Sequence, residues 1–474
     1  MSTYLFYDLE TTGLNKCFDQ VIQFAAVRTD MKFNELERYS TFVKLRPDVI
    51  YAPGAIITNR ISICESMSGL CEYEAIRKIH RLFNQPETIS IGYNSLKFDD
   101  EFLRFSFHKN LLPPYTHQYN NGCYRMDLLP ITTCYYLYKN DALKWAKVNG
   151  QPTMKLEYLN IANKLAAGKA HNALVDVEAT VELARRLSKE GDMWTYLTGY
   201  FNKKEDVKRV SSLPPFFDSG KEKHKWGLMI GTRYGPDQAY QIPLLYLGDS
   251  VPYSNQTIWL RLDSPGLRDA RIGEIAEKTS IVRKRYGEAE FMLPPEGRFM
   301  NHLPDERLAV IEENRKWLQK NDYILDEIIN YYCQYEYPFI PELDADAALY
   351  QMGFPDSVDE GLCRSFYSAL LEDKSKLIGQ FKKQEFNVLA ERILCRNYPS
   401  ISPPESVTKF HRYIKKHRHN NQHPLLDFKG EAQGSFKDVL EEIIMTRKEH
   451  ILDDEQKELL DELENYVTSK LNVP

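Results

Sequence analysis

The chain of 474 residues has no apolar run long enough to cross a bilayer and no Cys-x-x-Cys pair among its eight cysteines. The first absence argues against a helical membrane protein. The second argues against zinc ribbons and dithiol redox centres, and the scattered thiols fit the reducing conditions of a cytosol. Its start leads directly into an apolar strand, with no basic region and cleavage site of an export signal, so cytoplasmic residence is expected. Neither an internal repeat nor a low-complexity tract is present, which argues against a solenoid. Positive charge is also in deficit: the net charge is −6. An indiscriminate duplex binder is usually basic, so attraction to a nucleic acid would have to come from local basic stripes and bound cations.

The chain does carry acids in three local settings. The run from Thr3 to Leu14 is apolar and aromatic until Gly13 stops it, and reads as a buried strand that opens the fold. Side chains alternate along a strand, so Asp8 and Glu10 project to the same face. Two carboxylates so placed repel each other unless a cation lies between them, and hard oxygen ligands favour magnesium or manganese over zinc. A pair of solvated acids at a strand end is the plainer alternative. In the second setting a short strand from Thr88 precedes the opening of a helix at Asp99 and Asp100. Either acid could be only a cap. In the third, Leu174, Val177, Val181 and Ala184 fall at helical spacing and leave Asp176 off the apolar seam. His171 lies just before that helix, with Asn172 as a plausible cap. A histidine there could also be surface decoration.

Taken together, the order acid-x-acid, acid, histidine-x4-acid resembles the DEDDh exonucleases, the DnaQ-like branch of the ribonuclease H-like nucleases. In the sister branch a tyrosine stands one position beyond the histidine, where this chain has Asn172. The resemblance implies a two-metal hydrolase of phosphodiesters. Asp8, Glu10 and Asp176 would hold two Mg²⁺ ions, with Asp99 completing the shell partly through water and Mn²⁺ able to substitute. His171 would be the general base, since imidazole accepts a proton near neutral pH.

A DnaQ-like domain needs fewer than about 200 residues, so the length implies two or three domains. A charged connector from Lys203 to Arg209 leads to short strands near Trp226–Ile230, Ala239–Leu247, Thr257–Leu262 and Ala289–Leu293, a small barrel or sandwich. One helical stretch is expected from Asp305 to Glu336. Beyond Ala345 the pattern is helical, with Leu459, Leu460, Leu463, Tyr466 and Val467 facing inward on the last helix. This order, with Asp127-Leu128-Leu129, the stretch Leu349–Phe354 and Arg396-Asn397-Tyr398-Pro399, is similar to the exonuclease I family of bacterial exodeoxyribonucleases. That likeness implies an α/β ribonuclease H-like exonuclease domain over 1–192, an SH3-like β-rich domain with a helical extension over 193–344, and an all-α domain over 345–474. It also implies digestion of single-stranded DNA from the 3′ end to 5′-mononucleotides, a role in repair and recombination, and binding to the acidic tail of the single-stranded DNA-binding protein. A monomer is expected.

The loop from Pro113 to Arg125 alternates aromatic and polar residues, so Tyr115 and Tyr119 are candidates for stacking on unpaired bases or for lidding a core. Glu10, Lys97, Arg104, Arg125 and Lys155 are the candidate substrate contacts, the cations toward phosphates. At position 155 the family resemblance leads one to expect arginine; lysine keeps the charge and loses the bidentate fork. The segment from Glu288 to Asn301 is compact beside the family pattern. His411, His417, His419 and His423 lack the cysteines or repeated spacing of a zinc site and read as a basic helix end. Arg315 is a candidate for receiving the partner's tail. Two rivals remain at this point: a proofreading or RNA-trimming enzyme of the same superfamily, and a non-catalytic single-strand clamp.

Overall fold

The computed structural model describes residues 1–168, 172–218, 223–419 and 423–472. Its N-terminal run forms β1 (Thr3–Thr11), joined antiparallel to β2 (Val21–Thr29) and through it to β3 (Glu35–Phe42). On its other side β1 pairs in parallel with β4 (Thr88–Gly92), which pairs in parallel with β5 (Tyr124–Asp127). The sheet order is thus β3-β2-β1-β4-β5. A central strand must bury both faces, and β1 does so by alternation. Tyr4 and Phe6 enter one core, while Leu5, Tyr7 and Leu9 enter another on the opposite face.

Helices cover both faces. α1 (Pro53–Asn59) and α2 (Ile63–Met67) follow β3, and α3 (Glu72–Phe83) and α4 (Asp99–Lys109) flank β4. Ala75, Ile76, Ile79 and Phe83 of α3, with Phe102, Leu103 and Phe107 of α4, close the core over Leu5 and Tyr7. α5 (Leu128–Tyr138), α6 (Leu156–Asn163) and α7 (Ala173–Leu187) follow, and α5 and α7 pack on the face that carries Tyr4 and Phe6. By the same alternation, Asp8 and Glu10 share that face with α7.

The middle of the chain is a six-stranded antiparallel sheet in the order 281–285, 256–261, 241–249, 223–230, 291–293, with 215–218 paired to 223–230. Leu228, Ile230 and Leu245 join the same core as Phe6 and Val177, so no solvent layer separates the two parts. The single helical stretch expected from Asp305 is divided into Asp305–Lys320 and Asp322–Cys333. Asn321 makes the break: its amide donates to the carbonyl of Trp317 at 2.8 Å, a local bond that competes with continuation of the helix.

The C-terminal part is helical, including Ser357–Ser368, Gln384–Asn397, Pro404–Arg418, Phe436–Glu449 and Asp454–Leu471. Asp453 caps the last helix by accepting from the backbone N–H of Gln456 at 2.9 Å, and Leu459, Leu460, Leu463 and Val467 are buried against Ile22, Ile50 and Ile56 of the nuclease part. A buried ion network reinforces this seam. Arg396 donates to Asp48 of the N-terminal part at 2.7 Å and also pairs with Asp346, and all three side chains are sealed from solvent. The observed architecture has the expected order: an α/β part built on a five-stranded mixed sheet, a β-rich middle part and a helical C-terminal part. Among the described residues, no helix is long and apolar enough to cross a membrane.

Candidate active site

Three of the acids converge where β1 ends. Asp8 stands opposite Ala25 and Glu10 opposite Gln23 in the antiparallel register. The side-chain oxygen of Gln23 accepts from the backbone N–H of Ala173 at 3.3 Å, which fastens the start of α7 to β2. Asn172 caps α7 by accepting from the N–H of Leu174 at 3.1 Å, and Asp176 follows in the first turn, where the helix dipole favours an acid. Asp8, Glu10 and Asp176 each present a carboxylate oxygen within 4.8 Å of the others. They are the only group of histidine, cysteine or acidic side chains among the described residues arranged to hold a metal ion.

Asp99 joins the site from the start of α4, one loop beyond β4. Parallel pairing of β1 and β4 brings their C-terminal ends to the same edge of the sheet. The loop between β4 and α4 turns at once: a Cβ on Gly92 would lie 2.4 Å from that of Ser95, and Asn94 is left-handed at φ 61°. The carbonyl of Ser95 accepts from the N–H groups of Phe98 and Asp100, which winds the chain into α4. Asp99 is buried and close enough to disfavour ionisation of both Asp8 and Glu10.

The electrostatics follow from this crowding. Burial raises the Glu10 carboxyl to about 9, with the charges of Asp176 and Asp99 adding to it. Asp8 is raised well above the usual carboxylate range by burial and then by Asp99, Glu10 and Asp176. Asp99 is likewise raised, burial again being the largest cause, while its own N–H and that of Leu9 oppose the rise. An all-carboxylate set whose members repel one another fits a hard divalent cation.

Asp100, which the sequence left indistinguishable from Asp99 as a cap, takes a different part. It is fully buried and receives Arg104 at 2.6 Å, Arg125 at 2.6 Å and Nε2 of His117 at 2.9 Å. The two guanidinium groups, with the His117 hydrogen bond, hold its carboxyl far below the usual range against the cost of burial. The guanidinium groups of Arg104 and Arg125 are therefore turned inward to Asp100, with their side chains 7% and 10% exposed.

The other candidate residues lie in varied surroundings. His171 falls outside the described residues. Lys155 immediately precedes α6, 73% exposed and 3.9 Å from Glu157. Tyr119 is 70% exposed, whereas Tyr115 is half-buried between Arg104 and the edge of Phe354. Lys97 reaches across to Glu290 of the middle domain. Nδ1 of His417 donates to the carbonyl of His423, 2.7 Å away, and His419 meets the edge of Phe436, while His411 is exposed on its helix. Arg315 is engaged by Glu312 one turn earlier, at 2.6 Å.

Known proteins match this arrangement. The exonuclease family RNase_T matches residues 5–184. Exodeoxyribonuclease I of Escherichia coli K12 is 28% identical over 376 residues, covering 75% of this chain and 77% of that protein. Its counterpart from Haemophilus influenzae is 34% identical over 214 residues, covering 44% of this chain and 45% of that protein. The solved structure of E. coli exonuclease I with a dA16 oligonucleotide superposes with a TM-score of 0.82 at 23% identity, over 99% of this chain and 100% of that one. Two further structures match with a TM-score of 0.81 at 22% identity: a zinc-bound E. coli exonuclease I–single-stranded DNA complex and an SSB/exonuclease I structure with an inhibitor. They cover 100% and 99% of this chain respectively, and 100% of each matched chain. The structural likenesses establish the fold; residues 5–184 match the exonuclease family, and the chain is similar over 75% of its length to exodeoxyribonuclease I, which makes it a nuclease that uses a divalent metal.

Proposed function

We propose that this enzyme degrades single-stranded DNA from its 3′ end to 5′-mononucleotides and acts in DNA repair and recombination. The convergence of the Asp8, Glu10 and Asp176 carboxylates within 4.8 Å, with Asp99 beside them, carries the reading. Asp8, Glu10 and Asp176 would hold two Mg²⁺ ions, Asp99 completing the set partly through water, and Mn²⁺ could replace them. When bound, the ions would shield the phosphate and make the attacking water more acidic. His171 would take that water's proton on a ring nitrogen. Exposed Lys155 would contact a phosphate directly, and Tyr119, Tyr115 and Glu10 would line the path of the strand end. Arg104 and Arg125, bound to Asp100, would supply only a shared positive field.

The reading extends to organisation and partners. We assign 1–192 to the nuclease domain, 193–344 to the SH3-like domain with its helical extension and 345–474 to the helical domain, acting as a monomer in the cytoplasm. The candidate receptor for the acidic tail of the single-stranded DNA-binding protein is a cavity of about 490 Å³ lined by Lys189, Arg298 and Lys139, the last paired with Glu190 at 3.6 Å, together with Asp192, Met193, Leu197 and Leu293. Lys189 and Arg298 beside apolar side chains suit a carboxylate-rich peptide with apolar side chains.

The test is digestion of 5′-labelled single-stranded DNA with Mg²⁺, beside a 3′-blocked strand, a duplex, matched RNA and Asp8→Ala. Loss from the free 3′ end of DNA alone, abolished by Asp8→Ala, is expected. Equal digestion of RNA would move the enzyme to the trimming nucleases, and binding without cleavage would leave a clamp.

A further inference from the structure

Asp127 ends β5, directly beside Gly92 at the end of β4 in the parallel register, and is 2% exposed. Its carboxylate accepts three backbone N–H groups. One is that of Leu129, at 2.9 Å, which caps α5. A helix cap requires no more than this. The other two belong to the loop that leads to Asp99: Asn94 donates to Oδ1 at 2.9 Å and Leu96 to Oδ2 at 3.2 Å. That loop has no slack, since Gly92 abuts Ser95 and Asn94 is already left-handed. It needs an external anchor because its first turn presents N–H groups that no carbonyl of its own satisfies.

We infer that Asp127 is a positioning residue for Asp99: by gripping the N–H groups of Asn94 and Leu96 it sets where α4 begins, and so where the fourth carboxylate meets Asp8 and Glu10. The inference rests on the proposed role of Asp99 in the metal shell. Removing the anchor would release the loop while leaving Asp8, Glu10 and Asp176 in place, since those are held by β1, β2 and α7. The effect would thus fall on metal affinity before it falls on DNA binding. Partners one step removed from a metal ligand typically change metal affinity or activity by about 10- to 100-fold.

The experiment compares wild type, Asp127→Asn, Asp127→Ala, Asp99→Ala and the Asp99→Ala/Asp127→Ala pair. Mn²⁺ binding is measured by calorimetry, and folding by thermal unfolding in EDTA. For the variants that retain Asp99, the Mg²⁺ concentration for half-maximal digestion and KM for an oligonucleotide are also measured. Asparagine keeps Oδ1 for Asn94 and Leu129 but turns a donor toward the N–H of Leu96, so it disturbs the loop while sparing the cap. Asp127→Ala is expected to weaken Mn²⁺ binding by about 10- to 100-fold and Asp127→Asn by less, with KM at saturating metal within about twofold. In the Asp99→Ala background the Asp127 change should have no further effect. Equal Mn²⁺ affinity in folded Asp127→Asn and wild type, or full additivity in the pair, would overturn the inference. A wild type inert toward DNA would refute the proposed function, while the calorimetric comparison would still decide the role of Asp127.

Discussion

Replacing Arg396 with methionine should separate the C-terminal helices from the nuclease sheet energetically, and the structure bounds by how much. Arg396 is 1% exposed and donates to Asp48 at 3.0 and 2.7 Å and to Asp346 at 3.1 Å, with a second shorter bond. Removing one partner from a buried pair costs about 3–5 kcal/mol, because the remaining charge is stranded. Two carboxylates would be stranded here, yet each keeps one other cation, Arg46 at 3.3 Å from Asp48 and Arg392 at 3.3 Å from Asp346. The low end, about 3 kcal/mol at pH 7, is therefore expected. The loss should also depend on pH. Asp48 and Asp346 are held far below the usual carboxylate range by Arg396 and its neighbours, against the cost of burial. A depressed carboxylate contributes stability above its unfolded value, near 4, and loses it as pH falls toward the folded value. In the methionine variant that depression shrinks, so the deficit should be largest at pH 7 and diminish below about pH 4. Urea unfolding followed by circular dichroism at both pH values measures it. A deficit under about 1 kcal/mol, or one equal at both, would refute the argument.

Other outcomes follow from the site. Glu10 is raised to about 9, and Asp8 and Asp99 are raised with it, so their charged forms are penalised in the metal-free protein. Stability in EDTA should therefore fall as pH rises from the ordinary carboxylate value toward about 9, and saturating Mg²⁺ should remove most of that slope, with protons released on binding. Thermal melts across that window read the slope, and a flat EDTA profile would count against the crowding described. Lys155→Arg restores a bidentate donor at an exposed position and should lower KM for single-stranded DNA about twofold to fivefold with kcat unchanged. An unchanged KM would remove Lys155 from the strand path. Arg298→Ala should weaken an acidic, apolar-ended peptide about tenfold, read by fluorescence anisotropy, while Arg315→Ala should not.

What could be read from the chain and what could not divide along physical lines. Asp8 and Glu10 were legible because a strand's period of two is strict, and Asp176 because the seam of Leu174, Val177 and Val181 defines a helix face. Asp99 and Asp100 were not separable: both sit in the first turn of α4, and only the tertiary fold turns one to the carboxylates and the other to two arginines and His117. Arg104 and Arg125 could be named for their charge, but a sequence does not show which anion a long side chain will meet. Nor does it show that Asp48, Asp346 and Arg396, scattered over most of the chain, form one buried network. The break at Asn321 depends on a side-chain bond that competes with an otherwise continuous helical pattern.

The nuclease sheet shares one apolar core with the middle domain and another with the last two helices. Neither seam resembles a hinge, because opening either would carry buried leucine, isoleucine and phenylalanine side chains into water. The three parts therefore behave as one mechanical body, unable to admit or release a strand by swinging apart. Such a body suits a substrate that enters by a free chain end, since the middle of a strand has no gate to pass.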